Sequence, residues 1–150
     1  MSNMLVIDDE AAVRQHFATL FRSRGHAVLE AESGARGLAL LNDDARPRVD
    51  LVLVDLIMPG GHGFDVIDGC RTMPDRPKIV AMSGKGNPSF DYLAYSLSRG
   101  ADWAYCKGGT LTALAQAIDI LLAGGTLPSP FQQTQRARLS WPTWLLRSAP

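Results

Sequence analysis

The stretch VDLVLVDLIMPGGHG at residues 49–63 constrains this chain more than any other. Leu51 to Val54 is an aliphatic run without polar alternation, the pattern of a strand buried on both faces in a parallel sheet. The run ends on Asp55, and Pro59, Gly60, Gly61 and Gly63 then point to a loop. A carboxylate is thereby delivered to the C-terminal end of a central strand. In open α/β sheets, that edge is where ligands and chemistry sit.

The rest of the chain repeats a strand followed by a helix. Asn3 to Ile7 is a short apolar strand, followed by Asp8-Asp9-Glu10 and a helix carrying Val13, Phe17, Leu20 and Phe21, which Gly25 stops. His26 to Ala31 is a second strand, and Ser33 can cap a helix bearing Leu38 and Leu41. After the central strand comes a helix through Phe64, Val66, Ile67 and Cys70. A fourth strand, Lys78 to Met82, runs into Ser83-Gly84, and Asn87-Pro88 reads as the start of a helix with Phe90, Leu93, Ala94 and Leu97 inward. A fifth strand near Trp103 to Cys106 ends at Lys107, and Thr110 precedes a helix with Leu111, Leu114, Ile118, Leu121 and Leu122 on one face. Five such repeats without a hairpin signal call for a parallel sheet with helices on both faces and right-handed crossovers.

The 150 residues suit one domain, and 15 basic against 15 acidic residues give no overall field favouring nucleic acid or membrane. Cys70 and Cys106 have no metal-ligand spacing and read as free buried thiols of a reducing compartment. No apolar run reaches spanning length, and acids at residues 8–10 interrupt any leader-like start. The expectation is a cytoplasmic protein without nucleic-acid or membrane partners. Residues 126–150 differ: four prolines, three arginines, no acid, and Trp141, Trp144, Leu145 and Leu146 mark a tail following a domain at 1–125. That tail reads equally as loosely ordered or as a short docking helix.

Laying the strand ends side by side brings Asp8, Asp9, Asp55, Ser83 and Lys107 to one sheet edge. A lone aspartate there is usually a turn former. Five polar groups at four strand ends are harder to dismiss. Two carboxylates about 4 Å apart repel by roughly 4 kcal/mol at an effective dielectric near 20. Three together call for a counter-ion, and hard oxygen ligands favour Mg²⁺. A dication, an ammonium and a hydroxyl around a carboxylate form a receptor for a phosphoryl group, with aspartate as covalent acceptor.

With VIDDE at 6–10, DLIMPG at 55–60, MSG at 82–84 and YCK at 105–107, residues 1–123 resemble a response-regulator receiver domain of two-component signalling, similar to the chemotaxis receiver. The resemblance implies a flavodoxin-like, doubly wound five-stranded parallel sheet of order 2-1-3-4-5 with five helices. It implies Asp55 as phosphoacceptor and a Mg²⁺ site from Asp9, Asp55, the Ile57 backbone carbonyl and, largely through water, Asp8. It gives Ser83 and Lys107 as partners of the phosphoryl group. The donor would be a sensor histidine kinase or a histidine phosphotransfer protein. Output would be protein–protein contact through the fourth helix, fifth strand and fifth helix, from a stand-alone receiver. The rival is a pseudo-receiver, an interaction module that does not turn over phosphate. A free-standing phosphatase would want an acid where Ile57 stands, and a flavin-binding protein would want Ser, Thr or Gly where Asp8 and Asp9 stand.

Three departures from the family pattern carry expectations. Gly108 replaces the usual proline after the lysine, so a trans bond is expected there. The usual aromatic switch position is Ala104, and Tyr105 should face the other side of its strand, so Trp103 and Tyr105 read as packing residues. Ile57 and Lys85 stand at the positions that tune hydrolysis. An apolar Ile57 cannot orient an attacking water, so slow self-dephosphorylation is expected.

Overall fold

The architecture is described from a computed structural model, which describes residues 1–84 and 91–128. The chain runs β1 (Asn3–Ile7), α1 (Ala11–Ser23), β2 (Ala27–Ala31), α2 (Gly34–Leu41), β3 (Leu51–Asp55), β4 (Ile57–Met58), β5 (Gly61–His62), α3 (Phe64–Arg71), β6 (Lys78–Ser83), α4 (Tyr92–Arg99), β7 (Trp103–Cys106) and α5 (Leu111–Leu122). Five of these strands form one parallel sheet of order β2-β1-β3-β6-β7. Counting those five along the chain gives 2-1-3-4-5, the order the resemblance implied.

β3 sits at the centre and is buried on both faces. Val52 and Val54 pack into one core cluster, with α3 residues Val66, Ile67 and Cys70. Leu51 and Leu53 pack into the other, with Phe17 and Phe21 of α1 and Leu114, Ile118 and Leu121 of α5. That alternation is the period of two of an extended chain between two helical layers. Cys70 and Cys106 are both free and buried, and burial pushes the Cys70 thiol up to about 11.

Local chemistry explains the element ends. Ser33, Asp91 and Thr110 each accept a hydrogen bond from a backbone N–H of the first turn they cap, at Arg36, Ala94 and Ala113. Gly25 follows α1 with φ of 87°, where a side chain would be strained.

Two points differ from the sequence expectation, and a third lies outside the described residues. β2 begins at Ala27, one residue after His26. The segment following Asp55 is a small antiparallel ribbon rather than only a loop: Ile57 pairs with His62 and Met58 with Gly61. Pro59-Gly60, with Gly60 at φ of 76°, suits the tight reversal between them. α4, Tyr92–Arg99, is capped by Asp91; the start expected at Asn87-Pro88, Phe90 and Lys85 lie outside the described residues, as does the chain from 129 onward. Cis peptide bonds are absent among the described residues, so the bond to Gly108 is trans as expected.

Candidate functional site

Four strand ends build the site. Asp55 closes β3 and is 3% exposed, and Asp8, directly after β1, is fully buried, while Asp9 beside it is exposed. Lys107 follows β7 and reaches across: its Nζ lies 2.7 Å from Asp8 Oδ2 and 3.1 Å from Asp55 Oδ2. One ammonium thus serves two buried carboxylates. Ser83, buried at the end of β6, is tied to the same corner through its carbonyl, which accepts from the Lys107 backbone N–H at 3.2 Å. Ile57 contributes its backbone N–H, which donates to Asp55 Oδ1 at 3.3 Å.

The electrostatics follow from burial. Desolvation raises the Asp55 carboxyl above its ordinary value of 3.8, and Asp8 pushes it the same way, against the opposing pull of Lys107 and the Ile57 N–H. Burial alone would lower the Lys107 ammonium, but its pairing with Asp8 and Asp55 wins and its pKa is raised. Lys107 is therefore a fixed cation at any physiological pH.

Asp8, Asp9 and Asp55 can each offer a carboxylate oxygen within 4.8 Å of the others. Asp8 Oδ2 is buried and, beyond its ion contact with Lys107, finds no hydrogen-bond partner among the described residues. An under-satisfied buried oxygen beside two more carboxylates fits a small hard cation with oxygen ligands. Glu10 stands apart: it is exposed and occupies the N-cap position of α1.

Sequence reasoning read Gly63 only as a loop signal and missed its close approach to Asp55. A β-carbon there would overlap the Asp55 backbone carbonyl oxygen and lie 2.9 Å from Val54 Cγ2. Its backbone φ of −58° is open to any residue, so space alone requires glycine. On β7, strand alternation behaves as expected. Ala104 packs on the α4 side, whereas Tyr105 lies on the α1–α5 side, its ring edge-on to Phe17 and its hydroxyl donating to the Gly109 carbonyl at 2.8 Å.

Comparison with known proteins agrees with this geometry. Residues 4–119 match the family model of the response regulator receiver domain. The chain belongs to that family.

Among relatives of this receiver, the KDP operon transcriptional regulatory protein KdpE of Escherichia coli K12 is 36% identical over 133 residues, covering 87% of this chain and 56% of that protein. The transcriptional regulatory protein AfsQ1 of Streptomyces coelicolor is 33% identical over 121 residues, covering 79% of this chain and 51% of the relative. The receiver thus spans about half the length of these curated relatives. A receiver domain protein from Clostridium thermocellum superposes with a TM-score of 0.74 at 26% identity, covering 83% of this chain and 96% of its own. Among the described residues, no helix of this receiver is long and apolar enough to cross a membrane.

Proposed function

We propose that this receiver accepts a phosphoryl group on Asp55 from a phosphohistidine of a sensor kinase or a histidine phosphotransfer protein, with Mg²⁺ in the acidic pocket. The observation that carries the reading is the buried Asp55 carboxylate, 3.1 Å from Lys107 Nζ and within 4.8 Å of oxygens of Asp8 and Asp9. An Asp55 oxygen attacks phosphorus in line, and the P–N bond to the donor imidazole breaks as the O–P bond forms. Asp8, Asp9, Asp55 and the Ile57 carbonyl would hold Mg²⁺, which when bound neutralises charge on the phosphoryl oxygens. Lys107 orients and neutralises a further oxygen, and the Ser83 hydroxyl donates to another.

Two charge-assisted hydrogen bonds at roughly 1.5–3 kcal/mol each supply about 3–6 kcal/mol if additive. Moving a population from 1:99 to 99:1 needs about 5.5 kcal/mol. The upper end of the Ser83 and Lys107 contribution, about 6 kcal/mol, reaches that requirement. Output passes to a protein partner over the face made by α4, β7 and α5. Residues 126–150 are read as a tail that follows the receiver domain, a reading supported by the family match ending at 119 and α5 ending at Leu122; Leu127 packs against the domain core.

The test is incubation with acetyl phosphate and Mg²⁺, read by intact mass. A gain of one phosphoryl group in the wild type and none in Asp55→Asn is expected. No gain in either, with Mg²⁺ binding also absent, would select the pseudo-receiver reading instead.

A further inference from the structure

We propose that Arg14 is a positioning residue for the acidic pair, holding the turn after β1 in its metal-binding shape before the metal arrives. The inference rests on the reading of Asp8, Asp9 and Asp55 as a Mg²⁺ site. Arg14 lies one turn into α1, and its Nη1 donates to the Asp8 backbone carbonyl at 2.8 Å. Its Nε faces Glu30 Oε2 on β2 at 3.5 Å, and Arg22 Nη1 holds the other Glu30 oxygen at 3.0 Å. The Arg14 side chain is only 16% exposed, so this is a packed clamp and not a surface pair.

The peptide joining Asp8 to Asp9 is planar. Fixing the Asp8 carbonyl therefore fixes the plane from which the Asp9 Cα departs. The same residue is held at two other points: its N–H donates to the Ala31 carbonyl at 3.1 Å, and its Oδ1 accepts from the Glu10 N–H at 2.9 Å. Arg14 supplies the third point. Only Oδ2 then faces Lys107 and the pocket. Asp9, whose side chain is exposed, takes its direction from this held peptide. Arg14 acts through geometry because its guanidinium grips the Asp8 backbone carbonyl rather than a ligand carboxylate, with Glu30 bracing it from β2. A planar two-sided fork is needed for it, and a lysine ammonium cannot reproduce that.

The test uses the full chain and measures Mg²⁺ binding directly by titration calorimetry, with amide hydrogen exchange of the metal-free form. Arg14→Ala is expected to weaken Mg²⁺ binding about tenfold, the low end for residues that orient metal ligands. Arg14→Lys and Glu30→Gln should weaken it less, and exchange at Asp9 and Glu10 should quicken in the same order. The maximal rate of labelling by acetyl phosphate at saturating Mg²⁺ should fall much less than the affinity. Wild-type Mg²⁺ affinity in both Arg14→Ala and Glu30→Gln would overturn the proposal. If Arg14→Ala does not fold, Glu30→Gln and Arg14→Lys decide it by the same titration. Absence of Mg²⁺ binding by the wild type would instead overturn the underlying reading of the site.

Discussion

Lys107 sets the terms at the scale of single residues, because its ammonium is the only cation within ion-pair reach of Asp8 and Asp55 among the described residues. Removing it strands two buried carboxylates. Breaking a buried pair in this way costs about 3–5 kcal/mol. Lys107→Ala should lower the denaturant midpoint of the metal-free protein accordingly, with part of the loss recovered on adding Mg²⁺. Asp55 works in the opposite direction. Its folded pKa is raised, so the folded state holds that proton to higher pH than the unfolded chain does, and ionising Asp55 costs stability. The advantage of Asp55→Asn over wild type in urea unfolding should therefore grow as pH rises from 3.8 through the raised folded value, then level off. Gly63 offers a steric counterpart: Gly63→Ala should destabilise by about 1–3 kcal/mol and slow labelling by acetyl phosphate. The five polar site residues were legible in the sequence because each ends a strand. Gly63 was not, because a close backbone approach leaves no trace in a glycine-rich loop. Ile57 belongs to this scale too: Ile57→Asn should shorten the half-life of the phosphorylated form, measured by loss of the added mass.

Among the elements, α3 and α4 behave as a joined pair. Phe64 opens α3 beside the site, its ring stacked on Tyr92 and edge-on to Tyr95 of α4, with centroids 6.2 and 5.1 Å apart. At the far end, Arg99 Nε donates to Asp68 at 3.1 Å while the guanidinium lies over the Tyr95 ring. The pair is partly exposed, so Arg99→Ala should cost at most about 1 kcal/mol overall. Amide exchange within α4 should nevertheless quicken, with α1 and α5 unchanged. Most helices and all five sheet strands could be read from periodicity and caps to within a residue or two. The β4–β5 ribbon could not. Two-residue strands are too short for alternation to show, and their glycines read as loop.

For the molecule as a whole, the sheet divides the interior into two cores, and β7 presents Ala104 to one and Tyr105 to the other. Strand alternation made that division legible in advance. The sheet order came from the resemblance, and the Arg14–Glu30 clamp, which joins α1 to β2, was not legible at all. Asp9 gives the cleanest whole-molecule test because it is exposed. Asp9→Asn should leave the metal-free thermal midpoint unchanged or higher, yet lose the upward shift that Mg²⁺ gives the wild type; that shift corresponds to about 2.7 kcal/mol at a hundred times the dissociation constant. One consequence of the shared ammonium reaches further. In the proposed reaction, the atom that keeps the resting protein intact is also the atom that must turn toward the incoming phosphoryl group. Durability and responsiveness then hang on one nitrogen, so a substitution at position 107 is expected to move both together.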